Sequence, residues 1–266
     1  MVKEPRSVFD SMFSDDFIER VDHTRSISVT PSDVFKAFDE GLGFVKLDFM
    51  ETIDYRANSL LPPDDISKVL HMMSAKVDTS ENQPRVNSFI SKLIQKAYDN
   101  GYNNFNFDLR AIVDCDNFAY HLCGKQNRPL ELNVIGNSGK GFAKYTNHCL
   151  ITAMGDIGSY SLACAKDVTL YLKGNVGAYF GFHSPKNFTA VIKGDVKRRF
   201  AYNAKQMNAF IDGNMKQVSV LENSTKVYVS ESVNQRTPID VILGEKAKSH
   251  PEYIAAMAEW HKRFGE

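Results

Sequence analysis

No stretch of the 266 residues approaches the roughly 20 consecutive apolar positions that a membrane-spanning helix needs, which excludes a helical membrane protein. Net charge is missing as well. Lys and Arg number 32 and Asp and Glu 32, so the chain as a whole gives no reason to expect nucleic acid as a partner. Cysteine is scarce. Cys115, Cys123, Cys149 and Cys164 form no CxxC pair, and neither His121 with Cys123 nor His148 with Cys149 has a zinc-ligand spacing. A disulfide scaffold is therefore not expected, nor is a metal or other cofactor. Residues 1–10 lack the apolar core of a signal peptide, and with unpaired thiols this leads to a cytoplasmic protein. What remains is an ordinary globular composition, 43% hydrophobic and 24% charged.

The balanced charge is unevenly distributed. Residues 1–130 hold 15 basic and 20 acidic side chains, residues 131–220 hold 11 and 5, and residues 221–266 hold 6 and 7. A basic middle between acidic ends is either a docking surface or two parts of one fold facing each other.

The middle also contains a repeat. Gly136-Asn137, Gly155-Asp156, Gly174-Asn175, Gly194-Asp195 and Gly213-Asn214 recur every 19 or 20 residues. Three apolar columns precede them. Two residues before each glycine stand Val134, Ala153, Leu172, Ile192 and Ile211. Four before stand Leu132, Ile151, Leu170, Ala190 and Ala209, and six before stand Leu130, Cys149, Val168, Phe188 and Met207. Alternation with period two marks a strand with one buried face. The unit is too short for a βαβ unit or a propeller blade, and its length suits one coil of a parallel β-helix. No coil could bury its apolar face alone, so the coils must stack. Glycine suits the sharp turn at the strand end, and the Asn or Asp after it tolerates a left-handed backbone. Stacking would align these five Asn and Asp side chains as a turn ladder; the functional alternative is a metal-binding column. Weaker copies flank the repeat. Phe105, Phe107, Leu109, Ala111 and Val113 alternate upstream, with Cys115-Asp116 at the turn position, and Thr225, Val227 and Val229 alternate downstream. The expected organisation is an α+β segment over 1–104, a parallel β-helix over 105–232 and a helical tail over 233–266.

The turns Gly136-Asn137-Ser138-Gly139, Gly155-Asp156-Ile157-Gly158 and Gly174-Asn175-Val176-Gly177 resemble those of the GXGXG family. That family is the right-handed β-helix domain at the C-terminus of the glutamate synthase large subunit, and it also forms one of the subunits of formylmethanofuran dehydrogenase. The resemblance covers residues 128–215. The family's glycine before each strand is replaced by Pro129, His148, Asp167, Asn187 and Gln206, and its second turn glycine by Lys197 and Lys216. The resemblance implies an assembly element beside catalytic domains, in complexes of oxidoreductase or amidotransferase type. The catalytic parts of those complexes have no counterpart here: there is no N-terminal nucleophilic cysteine, iron–sulfur cysteine cluster or flavin fingerprint.

Outside the repeat the pattern is helical. Phe9 to Val21 is a short amphipathic stretch. Thr30-Pro31-Ser32-Asp33 starts a helix that Gly41 is expected to stop. Phe44 to Ile53 alternates like a strand. Pro62-Pro63-Asp64-Asp65 opens a helix to about Ala75, Val77 to Pro84 reads as a polar linker, and Arg85 to Tyr98 is a helix with Val86, Phe89, Ile90, Leu93, Ile94 and Ala97 on one face. This segment either caps the first coil or binds a partner. Pro251 to Phe264 is a helix with Ile254, Met257 and the single tryptophan, Trp260, near one face, poised against the β-helix or a second copy.

Two constellations carry candidate chemistry. Nine residues after the turn glycines stand Tyr145, Cys164, His183 and Asn203, a column in which Cys164 beside His183 has the composition of an imidazole-activated thiol. Lys193, Lys197, Arg198 and Arg199, followed by Phe200, Tyr202 and Lys205, have the basic and aromatic mixture that holds phosphate or single-stranded nucleic acid. Lys166, Lys186 and Lys205 form a second basic row. Carboxylates are too few in the repeat for a paired-acid glycosidase. The function expected first is a non-catalytic scaffold, as a homo-oligomer or as a subunit beside a protein partner. An enzyme centred on Cys164 and His183 and an anion-binding module at Lys197–Arg199 are the rivals.

Overall fold

The computed structural model describes residues 30–46, 56–77, 79–112, 115–184, 186–217, 226–230, 233–235 and 241–265. The amphipathic stretch Phe9–Val21 lies outside these residues, as does most of the strand expected over Phe44–Ile53.

Three helices lead the described chain: α1 (Pro31–Val45), α2 (Pro63–Lys76) and α3 (Thr79–Asp99). Asp33 closes the start of α1 by accepting the Thr30 N–H at 2.8 Å. Gly41 does not stop α1. It lies inside the helix, where a Cβ would come within 2.8 Å of a Phe89 ring carbon, so the glycine serves close packing against α3. Phe44 and Val45 are therefore buried helix residues and not the start of a strand. Nor is Val77 to Pro84 a linker. Helix α3 begins at Thr79 and contains Pro84, which removes only one backbone donor in its early turns.

A parallel β-solenoid follows, with coils of about 19 residues. Its main ladder runs β1 (Asn104–Asp108), β2 (Leu130–Ile135), β3 (Asn147–Met154), β4 (Lys166–Lys173), β5 (Lys186–Lys193), β6 (Met207–Asp212), β8 (Lys226–Val229) and β10 (Val241–Leu243). Strands β7 (Met215–Gln217) and β9 (Val233–Gln235) pair beside it. The ladder thus continues past residue 232. The register aligns Leu132, Ile151, Leu170, Ala190 and Ala209, and all fifteen residues of the three apolar columns are buried. At roughly 1.5–3 kcal/mol per large side chain, these columns are the main source of solenoid stability. Gly174 shows why the turn column is glycine: its φ is +153°, and a Cβ would lie 2.5 Å from the Gly155 carbonyl carbon of the coil beneath. The first coil departs from the expected register. Leu109 lies under Gly136, whereas Cys115-Asp116 lies under the second turn, where Asp116 accepts the Lys140 N–H at 2.6 Å. The coil is lengthened in two places: Leu109 and Cys115, beneath Gly136 and Gly139, are six residues apart where the glycines are three apart, and Lys125 to Pro129 are added before β2.

Both covers of the solenoid are helical. Helix α3 lies along the edge of the first coil and meets its backbone with side chains one helical turn apart. Asn87 donates to the Asp116 carbonyl at 2.9 Å and the Tyr120 N–H donates to Ser91 at 3.1 Å. The Cys123 N–H donates to Gln95 at 2.8 Å, and the Lys125 N–H donates to the Tyr98 hydroxyl at 2.7 Å. The cores of helices and solenoid form one continuous cluster. At the other end, α4 (Glu245–Lys248) leads to α5 (Pro251–Phe264), which lies on the outer face of the sheet. Trp260 is fully buried there and donates to the Leu172 carbonyl at 3.0 Å. Tyr253, Met257, Trp260 and Phe264 pack on Val191, Phe210 and Tyr228 in a second apolar cluster. Ile254, expected on that face, is 54% exposed; the buried stripe is rotated by one residue and includes Tyr253 instead.

Candidate functional site

The surface left open by α3 and α5 includes the part of each coil between its turn and its strand. Its backbone is unusual. Alternate residues are left-handed: Tyr160, Leu162 and Cys164 have φ of 59°, 52° and 57°, and Arg199, Ala201 and Asn203 have φ of 59°, 54° and 56°. For non-glycine residues this conformation costs about 1–2 kcal/mol each in isolation. Hydrogen bonds between coils offset it: the Tyr145 N–H donates to Ala163 at 2.9 Å, Leu162 to Phe142 at 2.7 Å, Cys164 to Phe182 at 2.8 Å and His183 to Tyr202 at 3.0 Å. Side chains consequently leave the backbone in adjacent pairs. Phe142 with Ala143, Phe180 with Gly181 and Phe200 with Ala201 are buried, while residues just before and just after them, such as Tyr179 and Phe182 with His183, face outward.

The outward pairs build an aromatic ridge. Tyr160 and Tyr179 stack at 4.7 Å with rings 6° apart, and Phe182 and Tyr202 stack at 5.7 Å. Phe182 meets Tyr160 and Tyr179 edge-on and so joins the two stacks. In the earlier coils Tyr120 and His121 each approach Tyr145 at 5.5 Å. Tyr145 and Tyr160 are 39% and 42% exposed. Cations sit against the rings, with Lys144 5.0 Å from the Tyr145 centroid and Arg199 5.0 Å from that of Tyr179. Sequence reasoning missed this ridge. The signal was a phenylalanine recurring six residues after the turn glycine, at Phe142, Phe180 and Phe200, which sets the inward pair and so the outward one.

The column Tyr145, Cys164, His183 and Asn203 is brought together on one edge of the ridge. Burial pushes the Cys164 thiol above its ordinary value, with Lys144 opposing weakly, whereas a nucleophile needs the reverse. The His183 ring is 3.4 Å from the Asn203 amide. No hydrogen bond joins His183 to Cys164 among the described residues. Tyr120, close to Tyr145 and Cys164, is also raised, chiefly by burial.

The basic cluster divides. Lys193 lies on the outer sheet face, 4.7 Å from the Trp260 ring centroid, whereas Lys197, Arg198 and Arg199 are exposed past the next turn. Lys166 and Lys186 are register partners and Lys205 follows in the next coil, all exposed beside the ridge. Alongside them Asp167 accepts from Asn187 at 2.7 Å and lies 3.8 Å from His148 and 3.7 Å from Lys166.

The Asn and Asp column is a hydrogen-bonded turn ladder. Asn137, Asp156, Asn175 and Asp195 each accept the backbone N–H of the next member, Asp156, Asn175, Asp195 and Asn214, at 2.8, 2.8, 2.9 and 2.9 Å. Those oxygens are engaged in holding coils together. Among the described residues no three His, Cys, Asp or Glu side chains group as metal ligands, and no helix is long and apolar enough to cross a membrane. No protein-family model, curated protein or solved structure matches the chain.

Proposed function

We propose that this chain is a non-catalytic β-solenoid scaffold that holds a partner on its turn-side face within an assembly. The observation that carries the reading is the division of the surface. The edge of the first coil and much of the outer sheet are covered by the chain's own helices, while the turn side presents exposed Tyr145 and Tyr160. Contiguous exposed aromatic surface marks interaction sites. A rigid stack with nearest-neighbour contacts suits such a role, since it offers an extended surface with little ordering cost. The resemblance of its turns to the GXGXG β-helix, an assembly element of larger enzymes, is consistent with this. Four free thiols fit a cytoplasmic location.

The test is the mass of the native protein by size exclusion with light scattering at two salt concentrations, beside the double variant Tyr145→Asn and Tyr160→Asn. Asparagine keeps the left-handed backbone at both sites. The native protein is expected in a complex that the variant fails to form. A monomer without partner at both salts rejects the scaffold reading.

A further inference from the structure

We infer that the partner of the turn-side face is a single-stranded nucleic acid. The inference rests on the reading of that face as a docking surface and goes beyond it by naming the chemistry of the occupant. The four arcs that form the face, residues 138–147, 157–166, 176–186 and 196–205, contain eight Lys and Arg and no Asp or Glu. The global balance of charge conceals this local excess. Of the acidic residues elsewhere in the repeat, Asp156 and Asp195 each give one carboxylate oxygen to the turn ladder, Asp212 accepts from Ser230 on the sheet side, and Glu131 lies in strand β2. Asp167 lies against the lysine row, 3.7 Å from Lys166.

That row stacks like charges. Lys166 and Lys186 are direct register partners, about 4.8 Å apart at the backbone. Like charges placed opposite each other destabilise a sheet. A polyanion laid along the row would convert this repulsion into attraction and release its own counterions. Lys140 and Lys144 extend the positive field at one end and Lys197, Arg198 and Arg199 at the other.

The rings select the kind of polyanion. An acidic protein would use the cations and leave the ring faces idle. Bases use both. The stack Tyr179–Tyr160 ends at Gly141, which occupies the same step of the preceding coil, as its N–H donating to Ser159 at 2.9 Å indicates. Glycine has no side chain to continue the stack. The Asn117 amide oxygen lies there instead, close to where a Cβ of Gly141 would stand, and Tyr160 is 42% exposed. A base that displaces this amide adds one more ring to an existing pile. Tyr145, with Lys144 beside it, offers a second platform. Stacking on tyrosine with phosphates on Lys and Arg is tolerant of sequence and requires unpaired bases.

The test is fluorescence anisotropy of the full chain with labelled 12-nucleotide oligo-U and oligo-dT at 50 and 200 mM salt, with polyglutamate and a duplex of equal length as competitors. Both single strands are expected to bind, with affinity falling on the order of tenfold or more between the two salts. Tyr145→Asn and Tyr160→Asn, with folding checked by circular dichroism, should each weaken binding by about tenfold. Lys166→Glu with Lys186→Glu should weaken it further at low salt and flatten the salt dependence. Absence of binding at 50 mM salt overturns the inference. So does competition by polyglutamate equal to that of oligonucleotide, or tyrosine variants of unchanged affinity; those results identify an acidic protein site. If the native protein keeps its assembly but ignores oligonucleotides, the nucleic-acid inference falls and the scaffold reading stands; if it is a lone monomer that also ignores them, both fall.

Discussion

The helical covers at the two ends of the chain are attached in different ways. Helix α3 shares one continuous core with the solenoid and satisfies its edge through Asn87, Ser91, Gln95 and Tyr98. Helix α5 builds a separate apolar cluster on the outer sheet face, fixed by Trp260 and by Glu252 meeting Lys226 and Tyr228 at 2.9 and 2.8 Å. The first is part of the stack, and its loss removes the stack's own boundary. The second covers a strand face that is already closed on its inner side. A cover that merges cores should fail together with the fold; one with its own core should fail alone.

The largest effect is expected where the cores merge. Phe89→Ala should cost about 3–5 kcal/mol and lower the melting of helix and strand signals together. Survival of the strand signal after the helices melt, followed by circular dichroism, would break the comparison. Trp260→Ala removes a side chain of similar weight, about 3–5 kcal/mol if its cost fell on the whole fold. Here it should detach α5, raise binding of a hydrophobic dye at Val191 and Phe210, and leave most strand signal in place.

Alkaline pH should release the same helix in the unmodified protein. Burial, aided by the Glu252 carboxylate, pushes the Tyr228 phenol up to about 12, and burial pushes Tyr253 to about 12. A raised value means that folding favours the protonated phenol. The contribution is complete below the ordinary value of 10.0 and is lost as pH rises towards 12. Trp260, the only tryptophan, should shift its emission to the red over that interval, before the strand signal changes. Emission that shifts only with global unfolding would show that the two covers are not independent. The smallest effect belongs to the uncovered turns between them. Asn175→Ala frees the exposed Asp195 N–H to bond water, and a cost of about 1 kcal/mol is expected in a denaturant titration.

The sequence reveals the sheet side of the solenoid and little of the turn side. On the sheet side each strand alternates, so one face is apolar and its three buried columns are readable without a structure. On the turn side, left-handed residues at every second position pair the side chains, and no period-two or helical pattern results. Phe182 and Tyr202 therefore read as scattered aromatics when they are stacked neighbours. The mixed column of Tyr145, Cys164, His183 and Asn203 is legible because the coils keep a spacing of 19 or 20 residues there. Lys193 is misplaced among the cations because a glycine turn lies between it and Lys197, which sends the two onto different faces. Gly41 and Pro84 mark stops by local propensity, yet close packing overrides the first and the early position of the second limits its effect.

The constant spacing also fixes an order of assembly. Each new coil closes a loop of nearly the same length as the last, so every addition carries a similar entropic cost. Contacts from α3 to the first coil span only 27 to 30 residues, which makes that junction a starting point for winding. Trp260 reaches back 88 residues to Leu172, a strand that must already be in place to receive it. In refolding, strand signal should therefore precede burial of the tryptophan, and the last kinetic phase should be the arrival of the C-terminal helix.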